Sequence, residues 1–193
     1  KQYKDKLSAD LMLIMDGPRH TSNLPTLSYG ARGISEMTLT TYGPKVPQHS
    51  GHYGNYAPNP GFLLAQLLAS MKDENGRVTI PGFYDGINLS SEEKAILEAV
   101  PDDEAAIKKR LGLGRTDQVG QSYQESIQYP SLNIRGMQSA WVGPEARTIV
   151  PATAMAELDM RLVPESDPER LFALIQDHIK KQGFHIISDE PTD

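Results

Sequence analysis

The residues of this chain whose type and setting could do chemistry are Asp16, His49, His52, Thr148, Arg161 and His178. Asp16 follows the apolar run Leu11-Met12-Leu13-Ile14-Met15, which puts it at the carboxyl end of a candidate buried strand. Open α/β sheets gather ligand and metal groups at that end, and a carboxylate there can bind Zn²⁺. The same residue, just before Gly17-Pro18, is also an ordinary turn former. His49 and His52 lie in His49-Ser50-Gly51-His52-Tyr53-Gly54. A separation of three brings two imidazoles to one side only on a helix, and this glycine-containing stretch reads as a loop, which disfavours a metal pair. An exposed histidine that donates a hydrogen bond to an oxyanion is the chemical alternative to an inert loop residue. Arg161 shares the polar face of a strand with Glu157 and Asp159. It either pairs with a neighbouring carboxylate or captures a substrate carboxylate through its planar fork. Thr148, between Arg147 and Ile149, is by itself a strand-edge threonine, and His178 reads as a packing or rim residue of its helix.

Composition narrows what these residues can serve. No Cys occurs, so a disulfide framework and a thiolate metal site are both excluded, and any metal must be held by carboxylate, imidazole or backbone oxygen. With 19 Lys+Arg against 25 Asp+Glu the net charge is −6, which leaves no electrostatic footprint for nucleic acid or an anionic membrane. The apolar run before Asp16 is far shorter than a membrane span, and no secretory signal is visible, so a cytoplasmic location is expected. The first residue is Lys1 rather than Met, a hint that the natural start lies elsewhere. At 193 residues and 38% hydrophobic, the chain can build one core with a short appendage.

The elements that must position the chemistry follow from periodicity and punctuation. Leu11 to Met15 reads as a strand buried on both faces, and Thr26 to Tyr29 as a second. Ile34 to Tyr42 alternates as a half-buried antiparallel strand. Residues 43–58 lack periodicity and form a long loop. Asn59-Pro60 caps a helix that is apolar over a wide arc through Phe62, Leu63, Leu64, Leu67, Leu68 and Met71. A short strand is expected at Arg77 to Ile80. Ser90-Ser91-Glu92-Glu93 and Pro101-Asp102-Asp103-Glu104 open two helices of an insertion, the second closed by Lys108, Lys109, Arg110 and Gly112. Strands return at Ser131 to Gly136 and Thr153 to Val163, a helix follows Asp167-Pro168 to Gly183, and Phe184 to Ile187 gives a last strand. Without the first thirty residues and the insertion, the order strand, helix, strand, strand, strand, helix, strand is close to the split βαβ plan, for which an antiparallel sheet of four strands with two helices on one face is expected.

Taken in order, several segments resemble the zinc aminoacylase and dipeptidase family, and its dipeptidase branch most. They are Ala9-Asp10-Leu11-Met12-Leu13-Ile14-Met15-Asp16, Leu27-Ser28-Tyr29-Gly30-Ala31-Arg32-Gly33, His49-Ser50-Gly51-His52-Tyr53-Gly54, Asn59-Pro60 and Ile80-Pro81-Gly82-Phe83-Tyr84. Pro130-Ser131-Leu132-Asn133-Ile134, Ala146-Arg147-Thr148-Ile149-Val150-Pro151, Arg161-Leu162-Val163-Pro164 and Asp167-Pro168 continue the series. One departure is Asn55, where the family usually carries a second Gly after Tyr-Gly.

The resemblance implies an α+β, ferredoxin-like lid and dimerisation domain over residues 31–187, with a helical insertion at about 88–128. Residues 1–30 would be a terminal strand segment of an absent catalytic domain, and 188–193 a return linker to it. Asp16 would be a ligand of one of two zinc ions in the full-length enzyme, whose other ligands lie outside this sequence. His49 would reach across a homodimer to polarise the scissile carbonyl, with Thr148 and Arg161 holding the dipeptide or N-acyl amino acid substrate. On this reading the chain alone hydrolyses nothing, since most of the ligand shell is missing. The rival is a free-standing ferredoxin-like binding or oligomerisation module, which would have no need of the apolar run ending in Asp16. An RNA-binding module is disfavoured by the acidic charge and the lack of an aromatic-rich basic strand.

Overall fold

A computed structural model describes residues 3–13, 19–20, 22–26, 28 and 30–191. Among these the chain runs β1 (Gly33–Tyr42), β2 (Gln48–His49), α1 (Ser50–Tyr53), α2 (Pro60–Ala69), α3 (Ser91–Glu98), α4 (Glu104–Leu111), α5 (Tyr123–Ser126), β3 (Ser131–Gln138), β4 (Ile149–Val150), β5 (Thr153–Leu162) and α6 (Pro168–Lys181). No described helix is long and apolar enough to cross a membrane.

Alternation in two ten-residue strands builds the centre of the fold. β5 sits between β1 and β3, antiparallel to both. Its Ala154, Ala156, Leu158 and Met160 are buried and face Thr41, Leu39, Met37 and Ser35 of β1. Opposed residues of an antiparallel pair share a face, so these positions form one apolar side. Two helices cover it. α2 contributes Leu64, Leu67 and Leu68, and α6 contributes Leu171, Ile175 and Ile179. Both helices start as the sequence predicts. Asn59 accepts from Gly61 N–H and Asp167 from Glu169 N–H, and each is followed by proline at the first helical position.

The sheet has three strands where four are expected. Residues 184–187 form no strand. Gly183 adopts a left-handed φ of 87° at the end of α6, and Phe184 N–H still bonds to Ile179 C=O, so the chain remains engaged with the helix terminus. Only Phe184 packs on the core, while Ile186 and Ile187 stay about half exposed, so pairing here gains no apolar burial. The strand expected at Arg77 to Ile80 shrinks to one bridge between Lys72 and Val78, because the chain turns again at Gly82, φ 83°, and drives Ile80 and Phe83 into the core. Near the start, Leu11, Met12 and Leu13 are exposed and in no strand, as befits a run with no described neighbour to pair with. Ile14, Met15 and Asp16 lie outside the described residues, as do Leu27 and Tyr29 of the second expected strand, whose Thr26 and Ser28 are in no strand.

The insertion holds the two expected helices and a third short one, α5. A reciprocal capping box joins Ser90 and Glu93 ahead of α3, and Gly112 closes α4 in the left-handed region at φ 67°. Buried Glu125 of α5 accepts from Gln121 N–H at 2.9 Å, which holds its carboxyl below the usual range. His20 Nε2 lies 2.9 Å from Asp102 Oδ1, tying the segment before β1 to the insertion.

Candidate functional site

Where β1 and β5 leave the main sheet, their pairing does not stop. After the last register pair, Tyr42 opposite Thr153, Gly43 N–H donates to Ala152 C=O at 2.7 Å. Beyond residues 44–47 the ladder resumes as β2 and β4, with Gln48 opposite Val150 and His49 opposite Ile149. Ser50 N–H then donates to Thr148 C=O at 3.0 Å. Gly43 makes this join possible, since a Cβ there would stand 2.7 Å from Pro60 Cδ and 3.0 Å from Pro151 O. Thr41 Oγ1 fixes the start of α2 to the same junction by donating to Pro60 C=O. His49 and Thr148 therefore share the tip of a ladder whose base is the core of the domain.

At that tip the local conformations are specific. His49 is the N-cap of α1, and its Nδ1 accepts from Gly51 N–H at 3.0 Å. A ring nitrogen that accepts carries no proton, so neutral His49 presents Nε2–H as its single donor. Thr148 is the middle residue of a three-residue turn closed by Ile149 N–H to Arg147 C=O at 3.0 Å. Both side chains are exposed. The Arg147 guanidinium lies 4.9 Å from the centre of the Trp141 ring, a cation–π pair beside Thr148.

One expectation about this segment is corrected. Residues 50–53 are helical rather than loop, so the His49 and His52 rings do come together, with centroids 4.8 Å apart. The two rings are tilted by 32° to one another, and no three His, Asp or Glu side chains among the described residues could hold a metal ion. Asn55, the departure from the family pattern, takes φ 65°, the left-handed conformation a glycine would supply and Asn tolerates best after it.

Arg161 belongs to a different neighbourhood. It stands on the exposed face of β5 between Ile34 of β1 and Ser131 of β3. Its Nε is 3.7 Å from Asp159 Oδ2, beyond hydrogen-bond length, and 45% of its side chain is exposed. Asp159 is buried and already accepts from Asn133 Nδ2 at 2.8 Å. Farther along this face Arg135 bridges Glu36 and Glu157. Arg161 thus sits near the end of β5 opposite to the one that leads to His49. The eight residue-to-residue steps from Thr153 to Arg161 alone span about 26 Å.

Sequence reasoning proposed His49, Thr148 and Arg161 as site residues; it did not anticipate Gly51 as a partner of His49 or the Trp141–Arg147 pair. Histidine is an uncommon cap, and the contact between residues 141 and 147 depends on the path of a loop.

Comparison with known proteins gives this geometry a context. The family described as the peptidase dimerisation domain matches residues 29–186. The Cys-Gly metallodipeptidase DUG1 of Saccharomyces cerevisiae is 30% identical over 174 residues, covering 88% of this chain and 36% of that protein. The Beta-Ala-His dipeptidase of Rattus norvegicus is 28% identical over 185 residues, covering 93% of this chain and 38% of that protein. The chain thus spans little more than a third of the length of these curated relatives. The crystal structure of an M20 family metallo-carboxypeptidase, Sso-CP2 from Sulfolobus solfataricus, superposes with a TM-score of 0.75 at 30% identity, covering 95% of this chain and 49% of that one. A match over most of the chain and a shared fold lead to one conclusion: this protein belongs to the family of M20 peptidase dimerisation domains.

Proposed function

We propose that the chain is the lid and dimerisation part of a metallopeptidase that cleaves dipeptides or N-acyl amino acids, and that it works as a homodimer. The observation that carries this reading is the tip of the β2–β4 ladder, where His49 offers a defined Nε2–H beside Thr148 on an exposed edge. Such a donor, fixed before substrate arrives, suits the negative charge that develops on a scissile carbonyl oxygen. Thr148 supplies a second polar contact, and Arg161 holds the substrate's terminal carboxylate through its fork. Closure of the lid would align these groups and exclude water.

Distance then dictates how the groups combine. A dipeptide is about 7 Å long, far shorter than the roughly 26 Å from Thr153 to Arg161 along β5, which favours a site drawn from two protomers over one. Each site of the dimer would take His49 and Thr148 from one subunit and Arg161 from the other. The two zinc ions of the full-length enzyme would be held largely by residues outside this sequence, with Asp16 as one ligand. The described residues do not themselves make a metal site.

A crystal structure of the full-length protein with a phosphinate dipeptide analogue tests the reading. The expected picture has His49 and Thr148 of one subunit and Arg161 of the other on a single ligand. A ligand that touches none of the three would end it.

A further inference from the structure

Gly51 is in the wrong place for an ordinary glycine. It lies within α1, where glycine is a poor helix former, and it is not among the glycines with a left-handed φ. No conformational need explains it. Its surroundings do. A Cβ at position 51 would stand 2.9 Å from His49 Cε1 and 3.0 Å from His49 Nδ1, closer than carbon atoms pack. The imidazole occupies the space a side chain would fill, and only there can Nδ1 accept the Gly51 amide at 3.0 Å.

We infer that Gly51 is a positioning residue for His49: its bare amide selects the Nε2–H tautomer and aims that donor outward. This inference rests on the reading of His49 as an oxyanion donor and adds the device that prepares it. Neutral imidazole has one N–H, and in the other tautomer the proton would sit on Nδ1, face to face with the amide proton. A residue with a side chain at position 51 displaces the ring, since the obstructed atoms belong to a rotatable side chain and not to backbone. The ladder and α1 keep their own hydrogen bonds in that case, so the effect is confined to the histidine.

Long-range ¹H–¹⁵N correlation spectra of the ¹⁵N-labelled 193-residue chain at pH 8, where imidazoles are neutral, read the tautomer directly. His49 is expected to show a bare Nδ1 and a protonated Nε2. Gly51→Ala should move the tautomer ratio about fivefold toward that of a free side chain, the ratio one net hydrogen bond carries. A wild-type His49 protonated on Nδ1, or a ratio that Gly51→Ala leaves unchanged, overturns the inference. The wild-type spectrum decides the tautomer even where the variant folds poorly. In the full-length enzyme Gly51→Ala should lower kcat roughly tenfold or more with KM little moved, as expected for a misaimed donor. Full activity of His49→Ala would instead defeat the functional reading while leaving the spectra, and the role of Gly51, intact.

Discussion

His49 and Arg161 differ in what they would touch, and their kinetic signatures differ accordingly. A donor to developing charge acts in the transition state, so His49→Ala in the full-length enzyme should cost roughly 10²–10³ in kcat with KM little changed. Arg161→Lys keeps the charge and loses the fork that matches a carboxylate, and so should raise KM for peptides with a free carboxyl terminus by about tenfold or more. A carboxyl-amidated substrate should feel this change far less. Steady-state kinetics on the matched pair of substrates separates the two roles, and an Arg161→Lys effect equal for both would remove the carboxylate from the account. Both residues were legible in the sequence as types, one a histidine in an unpatterned stretch and the other an arginine on the wet face of a strand. The tautomer of His49 was not legible, because it is fixed by an amide two residues on whose position follows from the cap conformation, φ −64° and ψ 121°. The Arg161 environment was also hidden, since the buried Asp159 beside it is claimed by Asn133 from another strand.

At the scale of the element, segments of eight residues or more were legible and those of four or fewer were not. β1, β5, α2 and α6 each carry ten or more residues of unbroken pattern, with caps where the helices begin. α1 and α5 have four residues each, too few for a period to show. The run at 184–187 looked like a strand on composition, yet a strand exists only through a partner, and pairing is decided by the rest of the chain. The packing of α6 on α2 adds a testable property. His178 is buried at 7% exposure, and its Nε2–H donates to Ser70 Oγ at 2.8 Å, whose own proton goes to Leu67 C=O. Burial first, and Lys181 second, hold this imidazole below its ordinary value of 6.5. The unfolded chain therefore binds the proton more readily than the folded one. The stability His178 contributes is present above about pH 6.5 and is lost as pH falls through the lower folded value. His178→Gln keeps a donor toward Ser70 and removes the titration, so denaturant unfolding at pH 7.5 and pH 5 should show a smaller loss on acidification than the wild type does. An equal loss in both proteins would assign the effect to other groups.

The whole molecule is a platform with its proposed functional groups at two distant points. The continuous ladder from β1–β5 into β2–β4 carries His49 and Thr148 away from the core, while Arg161 stays at the far end of β5. The sequence showed β1 and β5 but not their extension through β2 and β4, because residues 43–58 read as a loop and the two-residue strands carry no pattern of their own. On the proposed function, groups this far apart would meet on one small substrate only across two copies of the chain, in keeping with its membership in a family of dimerisation domains.

Subunit mixing tests that claim most directly. The full-length enzyme would be prepared as His49→Ala and as Arg161→Ala, each inactive alone, and the two exchanged into mixed dimers. If each site draws His49 from one subunit and Arg161 from the other, every mixed dimer carries one intact site, and an equimolar mixture recovers about a quarter of wild-type turnover. If both residues serve the site of their own subunit, no dimer in the mixture has an intact site. Turnover that stays at the level of the separate variants, with subunit exchange verified, would contradict the account.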